Sequence, residues 1–189
     1  VIIFSRNTRQ VVVYALGVSE INVSNFGFSS GRLLQLFRDG QPHTKAEMAE
    51  ITGLARSTIS LRLDPLIELG FIAPATSATS TGGRPSARLL LNEESYVVAG
   101  VDFGATHAVA SLADLSGKIL VSIETKRLIS DGPEVCLRWM IEEIRHLLAG
   151  LKIDEDRLLA IGIGVPGPVE HESGKPANPP IMPGWDGFD

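Results

Sequence analysis

The tetrad Thr44-Lys45-Ala46-Glu47, with a glycine at Gly53, constrains this chain more than any other feature. Thr as N-cap and Glu three residues later is a capping box: the hydroxyl accepts from the N3 amide while the carboxylate reaches back to the cap amide. A helix therefore starts there, carries Met48, Ala49 and Ile51, and stops at Gly53, because glycine readily takes the left-handed conformation that ends helices. Another helix follows almost at once. Ser57 is placed to cap it, and Ile59, Leu63, Leu66, Ile67 and Leu69 recur at helical spacing before Gly70. Pro65 falls inside that pattern, where it removes a hydrogen bond and predicts a bend. Upstream, Ser29 or Ser30 can cap a shorter helix bearing Leu33, Leu34 and Phe37 and ending at Gly40. Downstream, Phe71 and Ile72 begin a strand, residues 73–86 read as a polar loop, and residues 87–91 return as a strand. Three helices and a two-stranded ribbon with a long tip describe a winged helix-turn-helix over residues 29–92.

In such a motif the second helix of the pair enters the major groove and presents its first turn to base edges. Those residues are Arg56, Ser57, Thr58 and Ser60, with Arg62 one turn on. Arginine can bond guanine in bidentate fashion, and Ser and Thr can reach bases or phosphates. The alternative is a three-helix bundle in which Ser57 is only a cap and the arginines only solvated charges. A helix built solely to pack has no need of an arginine-flanked polar first turn free of acids until Asp64. In the loop, Thr81-Gly82-Gly83-Arg84-Pro85 sets Arg84 on a backbone loosened by two glycines and fixed by proline, suited to a minor groove. The same composition also suits a plain flexible linker.

Charge divides along the same line. Through Asn92 there are nine Lys/Arg against six Asp/Glu, and after it eight against sixteen. A basic front and an acidic back suit a polyanion-binding module joined to a different domain. The single cysteine, Cys136, excludes an intrachain disulfide and points to a reducing cytoplasm, with the thiol read as a small buried hydrophobe. Residues 1–28 are expected to be a disordered leader. Arg6 and Arg9 ahead of the apolar run 11–18 have the outline of an export signal, but no small-residue cleavage site follows. That run is far short of the ~20 residues a membrane helix needs.

From Tyr96 onward the pattern turns β-rich. Residues 97–101 form an apolar strand leading into Asp102-Phe103-Gly104-Ala105-Thr106, residues 108–114 a second strand, Leu115-Ser116-Gly117-Lys118 a turn, and residues 119–125 a third strand. Asp131 can cap a helix with Pro133 in its first turn and Leu137, Met140, Ile141, Ile144, Leu147, Leu148 and Leu151 at helical spacing. Residues 158–165 then form a buried strand ending at Pro166-Gly167-Pro168. The Asp-x-Gly-x-Thr hairpin can face a phosphate: Gly admits close approach, Thr donates, and Asp can orient a metal-bound water. It can equally be a tight hairpin with an Asx-type turn.

In order, the helix-turn-helix, Gly82-Gly83-Arg84-Pro85-Ser86, Val101-Asp102-Phe103-Gly104-Ala105-Thr106-His107, Gly162-Ile163-Gly164-Val165-Pro166-Gly167-Pro168 and Asn178-Pro179-Pro180-Ile181-Met182-Pro183-Gly184-Trp185 resemble the repressor branch of the ROK family (repressors, open reading frames and kinases). The resemblance implies an α/β chain whose residues 96–189 are the first lobe of an actin/hexokinase-like ATPase-fold domain, truncated. It implies that Asp102, Gly104 and Thr106 form a vestigial nucleotide-phosphate loop; Ala105 and His107 depart from the kinase pattern. It places Asn178 and Trp185 near a sugar cleft, although a loop whose Trp packs on the core accounts for them equally. The family's catalytic Asp and its His/Cys zinc site would lie beyond Asp189, so neither catalytic residue nor cofactor is expected here. The four scattered histidines (His43, His107, His146, His171) and one cysteine have no zinc-site spacing. The function implied is a cytoplasmic, sugar-responsive, DNA-binding regulator that acts as a homo-oligomer on operator DNA, away from membranes. An ATP-dependent sugar kinase with an accessory N-terminal domain is the alternative.

Overall fold

The computed structural model describes residues 2–6, 9–15, 28–75, 87–170 and 173–188. The chain divides into two compact units, Ser19–Ser95 and the combination of Val1–Val18 with Tyr96–Asp189.

In the first of these, α1 (Phe28–Leu36) runs into a 3-10 turn, Phe37–Asp39, closed by Gly40 at φ 70°. Helix α2 (Lys45–Thr52) carries the expected capping box in full: Thr44 Oγ1 accepts from the Glu47 amide at 3.1 Å, and Glu47 Oε2 accepts from the Thr44 amide at 2.7 Å. Gly53 ends it at φ 69°, a conformation costly for residues with a Cβ. Helix α3 (Arg56–Glu68) starts two residues earlier than a Ser57 cap requires. Its N-cap is Ala55, which has no capping side chain, and Ser57 lies inside the first turn. The helix runs through Pro65, whose missing N–H removes the bond it would have made to the Leu61 carbonyl. Strands β3 (Ile72–Pro74) and β4 (Leu89–Leu91) pair antiparallel, and the His43 backbone bridges Leu89 through two 2.8 Å bonds. Leu33, Phe37, Met48, Ile59, Leu63, Leu66, Phe71, Ile72, Leu89 and Leu91 form the buried core of this unit.

The other unit is built on a six-stranded sheet. Within residues 1–28, expected as a disordered leader, residues 1, 7–8 and 16–27 lie outside the described residues, while β1 (Ile2–Arg6) and β2 (Arg9–Ala15) are paired strands. Their runs of Ile and Val suit pleated backbone, and the edge of strand β8 (Leu158–Val165) takes β2 antiparallel, with Val12 opposite Ile163. With β5 (Val97–Phe103), β6 (Ala108–Asp114) and β7 (Ile119–Thr125), the order is β1-β2-β8-β5-β6-β7. Only β5 and β8 are parallel. Alternate residues of β5 and β6 are buried, as one face packed on a core requires. That face meets α4 (Pro133–Gly150) through Cys136, Met140, Ile144, Leu147 and Leu148. Pro133 opens α4 as expected; its cap is Gly132, and Asp131 belongs to the preceding 3-10 turn. Cys136 is fully buried and its thiol donates to the Leu128 carbonyl at 3.4 Å. Burial pushes its pKa up to about 11, so it is an inert core group rather than a nucleophile.

The β6–β7 turn rests on Asp114, a buried carboxylate whose Oδ1 accepts from the Ser116 amide (3.0 Å), the Ser116 hydroxyl (2.6 Å) and the Lys118 amide (3.0 Å). Burial alone would raise its pKa, but these bonds outweigh it and hold the carboxyl below its ordinary value. A lowered folded-state pKa contributes stability above the unfolded value, about 3.9, that is lost as pH falls through the folded one. We expect Asp114→Ala to cost about 1–3 kcal/mol at neutral pH through orphaned turn donors. Urea titrations of both proteins should show the gap narrowing below pH ~4. A gap that is constant with pH would mean the carboxylate charge is irrelevant to the turn.

Candidate functional site

The geometry of the helical unit separates the polar residues of α3. Ile59 and Leu63 are fully buried and Leu66 nearly so, which defines the inward face. Arg56 and Ser57 are exposed at the start of the helix, whereas Thr58, Ser60 and Arg62 are half-buried on its flanks. No acid lies in the first turn, and no side chain caps it. The first amides of α3 thus have no side-chain partner in the cap, an arrangement suited to an anion. Ser60 is drawn into the helix pair, its Oγ accepting from Lys45 Nζ at 3.3 Å. The same ammonium donates to Asp64 Oδ1 at 2.6 Å, tying α2 to α3 and offsetting the nearest carboxylate on the outward face. Arg88, just before β4, donates to the Pro42 carbonyl and pairs with Glu47 at 3.1 Å. Glu47 is held below its ordinary pKa first by the Thr44 amide, with Arg88 assisting. Arg84 lies outside the described residues.

One side chain on the outward face escaped the sequence reading. Leu61 is 76% exposed, the highest value among the large hydrophobic side chains of the described residues. The inward spacing of Ile59 and Leu63 gives its direction, but attention to hydrogen-bonding residue types passes over it.

In the sheet unit, Asp102, Gly104 and Thr106 are brought to one end of the sheet. Parallel pairing sets Asp102 beside Gly164, so the hairpin after β5 and the loop after β8 leave from the same, C-terminal ends of the parallel strands. In open α/β sheets that is where ligands gather. A Cβ on Gly164 would lie 2.8 Å from Asp102 Oδ1, so the glycine makes room for the carboxylate. The Gly104 amide donates to the His107 carbonyl at 2.8 Å, closing a tight turn from which Thr106 projects exposed.

Of the two cleft candidates, Asn178 is exposed, in the left-handed region at φ 45°, with its amide donating to Asp186 Oδ1 at 2.7 Å. Trp185 is a core residue, 4% exposed, whose indole N–H donates to the Ile129 carbonyl at 3.1 Å. Its burial fits the packing account, and its ring also lines the groove between α4 and β8. A groove between α4 and β8, lined by Leu137, Ile141, Ile144, Leu158 and Ile163, is apolar and offers few of the converging polar groups a sugar needs. Among the described residues no cluster of three or more His, Cys, Asp or Glu could hold a metal ion, and no helix is long and apolar enough to cross a membrane.

A sheet with one parallel pair at its centre, extended by an antiparallel hairpin with an Asp-x-Gly-x-Thr turn, makes this a mixed α/β domain with a ROK-like sheet. The match is direct: residues 98–189 fit the model of the ROK family. Similar proteins include the xylose repressor of Bacillus subtilis (strain 168), 29% identical over 140 residues, covering 74% of this chain and 36% of that protein. The N-acetylglucosamine repressor of Escherichia coli O6:H1 is 26% identical over 147 residues, covering 78% of this chain and 36% of its own length. The chain thus spans about a third of the relatives it matches. Both matches are longer than the 98–189 stretch, so the likeness extends upstream of Val98. A crystal structure of a ROK family transcriptional regulator, a homolog of the E. coli MLC protein, superposes with TM-score 0.56 at 20% identity. It covers 69% of this chain and 33% of that one, and establishes the likeness of fold.

Proposed function

We propose that the chain is the operator-binding part of a sugar-responsive transcription regulator, acting as a repressor. Residues 29–92 serve as a winged helix-turn-helix, and residues 96–189 as the first lobe of an actin/hexokinase-like domain that senses the sugar. The observation that carries this reading is the first turn of α3: exposed Arg56 and Ser57, no acid, and amides left uncapped. In the proposed complex Arg56 contacts a guanine edge, Ser57 a base or phosphate, and Thr58, Ser60 and Arg62 the flanking backbone. Arg84 enters the minor groove. The repressor names of the relatives support the assignment, as does the basic balance of the residues through Asn92. Asn178, at the loop after β8, is the residue proposed to meet the sugar effector. A homo-oligomer in the cytoplasm completes the reading, with sugar binding altering half-site spacing.

Fluorescence anisotropy with duplexes selected from a random pool, compared with unselected duplex across a salt series, tests it. Selective binding with a steep salt slope is expected. Arg56→Ala should lose about 1–3 kcal/mol of discrimination between selected and random DNA, since a bidentate base contact goes while phosphate contacts stay. Unselective binding by the wild-type chain would overturn the proposal. The Asp102-Gly104-Thr106 hairpin favours a second reading, an ATP-dependent sugar kinase. ATP binding at this hairpin together with failure to select DNA would bring it forward.

A further inference from the structure

We propose that Leu61 reads a thymine methyl group in the major groove and is a specificity-determining residue of α3; this rests on the DNA-binding reading above. At about 100° per residue, Leu61 lies opposite the Ile59–Leu63–Leu66 face and in line with exposed Ser57 one turn before it and Asp64 one turn after. A single exposed leucine is ordinary on a protein surface. Its position is not ordinary here, because it occupies the centre of the same outward face whose first turn carries Ser57.

Base edges in the major groove offer donors, acceptors and one apolar group, the C5-methyl of thymine. Leucine can neither donate nor accept with its side chain, so that methyl is its natural partner in the groove. The acids further along the helix bound the reading span. Asp64 is paired with Lys45 at 2.6 Å, and the next acid, Glu68, is exposed one turn further on. Base reading on this face therefore runs from Ser57 to Leu61.

The test uses the full chain and a duplex it selects from a random pool. Each thymine is replaced in turn by deoxyuridine, which removes only the methyl. At one or two positions the wild-type chain should lose about fourfold in affinity, the change expected for taking one methyl out of an apolar contact. Leu61→Ala should bind the parent duplex more weakly and be indifferent to uracil at those positions. Leu61→Met, which keeps an apolar tip, should retain the sensitivity. Folding is not at issue: the side chain is exposed and alanine is at least as good a helix former, so thermal midpoints should coincide. If wild type selects no sequence, the DNA-binding reading fails. If it selects one but no uracil matters, or Leu61→Ala keeps the wild-type uracil profile, the Leu61 assignment is overturned while that reading stands.

Discussion

Trp185→Ala is expected to destabilise the sheet unit by about 3–5 kcal/mol, the range for truncating a buried large aromatic. The indole is 4% exposed and stands 6.2 Å from the Phe103 ring and 6.3 Å from Phe188. Its N–H donates to the Ile129 carbonyl, which also accepts from the Gly132 amide at 3.3 Å, so truncation removes one of that carbonyl's bonds as well. Position amplifies the cost. Phe103 is the last residue of β5, immediately before the Gly104 turn, and its ring also meets Trp139 at 5.8 Å. Loosening Trp185 therefore loosens the base of the Asp102–Thr106 hairpin. Trp185→Phe, which keeps an aromatic ring but loses the donor, should cost less. Equilibrium urea unfolding monitored by circular dichroism measures both variants. A Trp185→Ala protein of unchanged stability would show that the residue is a ligand-facing side chain after all, and would restore it to the cleft.

What was legible in the sequence is what is decided locally. Thr44 and Glu47 satisfy each other's backbone within one turn, and Gly40 and Gly53 end their helices through their own φ angles, so no distant partner is needed to read them. The Asp114 turn is of the same kind. The cap of α3 was misread because Ser57 has the chemistry of a cap but lies within the first turn, while Ala55 takes the extended conformation without a side chain to announce it. Strands β1 and β2 were missed for a different reason. Ile2, Ile3 and Val11 to Val13 carry no alternation, and what orders them is the edge of β8, more than a hundred residues away. Trp185 could not be resolved from sequence between cleft and core, since the choice is made by Ile129 and Phe103, neither of which lies near it in the chain.

Phe37→Ala is expected to cost the helical unit about 3–5 kcal/mol, enough to unfold much of it. Phe37 is fully buried in the 3-10 turn between α1 and Gly40, and its ring meets the His43 ring edge-on at 5.7 Å. His43 in turn bonds Asp39 at 2.8 Å and bridges Leu89 of the ribbon, so one ring supports the junction of helices and strands. Both tryptophans, Trp139 and Trp185, lie in the other unit, where each packs against Phe103. Tryptophan fluorescence therefore follows the sheet unit alone, and far-UV circular dichroism follows both. In Phe37→Ala the fluorescence transition should stay where it is in wild type while part of the dichroism transition moves to lower denaturant. DNA binding should fall with that moved fraction, unlike Arg56→Ala, where selectivity falls with no shift in either transition. If the fluorescence transition moved in step with the dichroism, the two cores would be one cooperative unit. Losses of DNA binding could then not be assigned to the helical unit by stability alone, and the contrast with Arg56→Ala would have to carry the assignment.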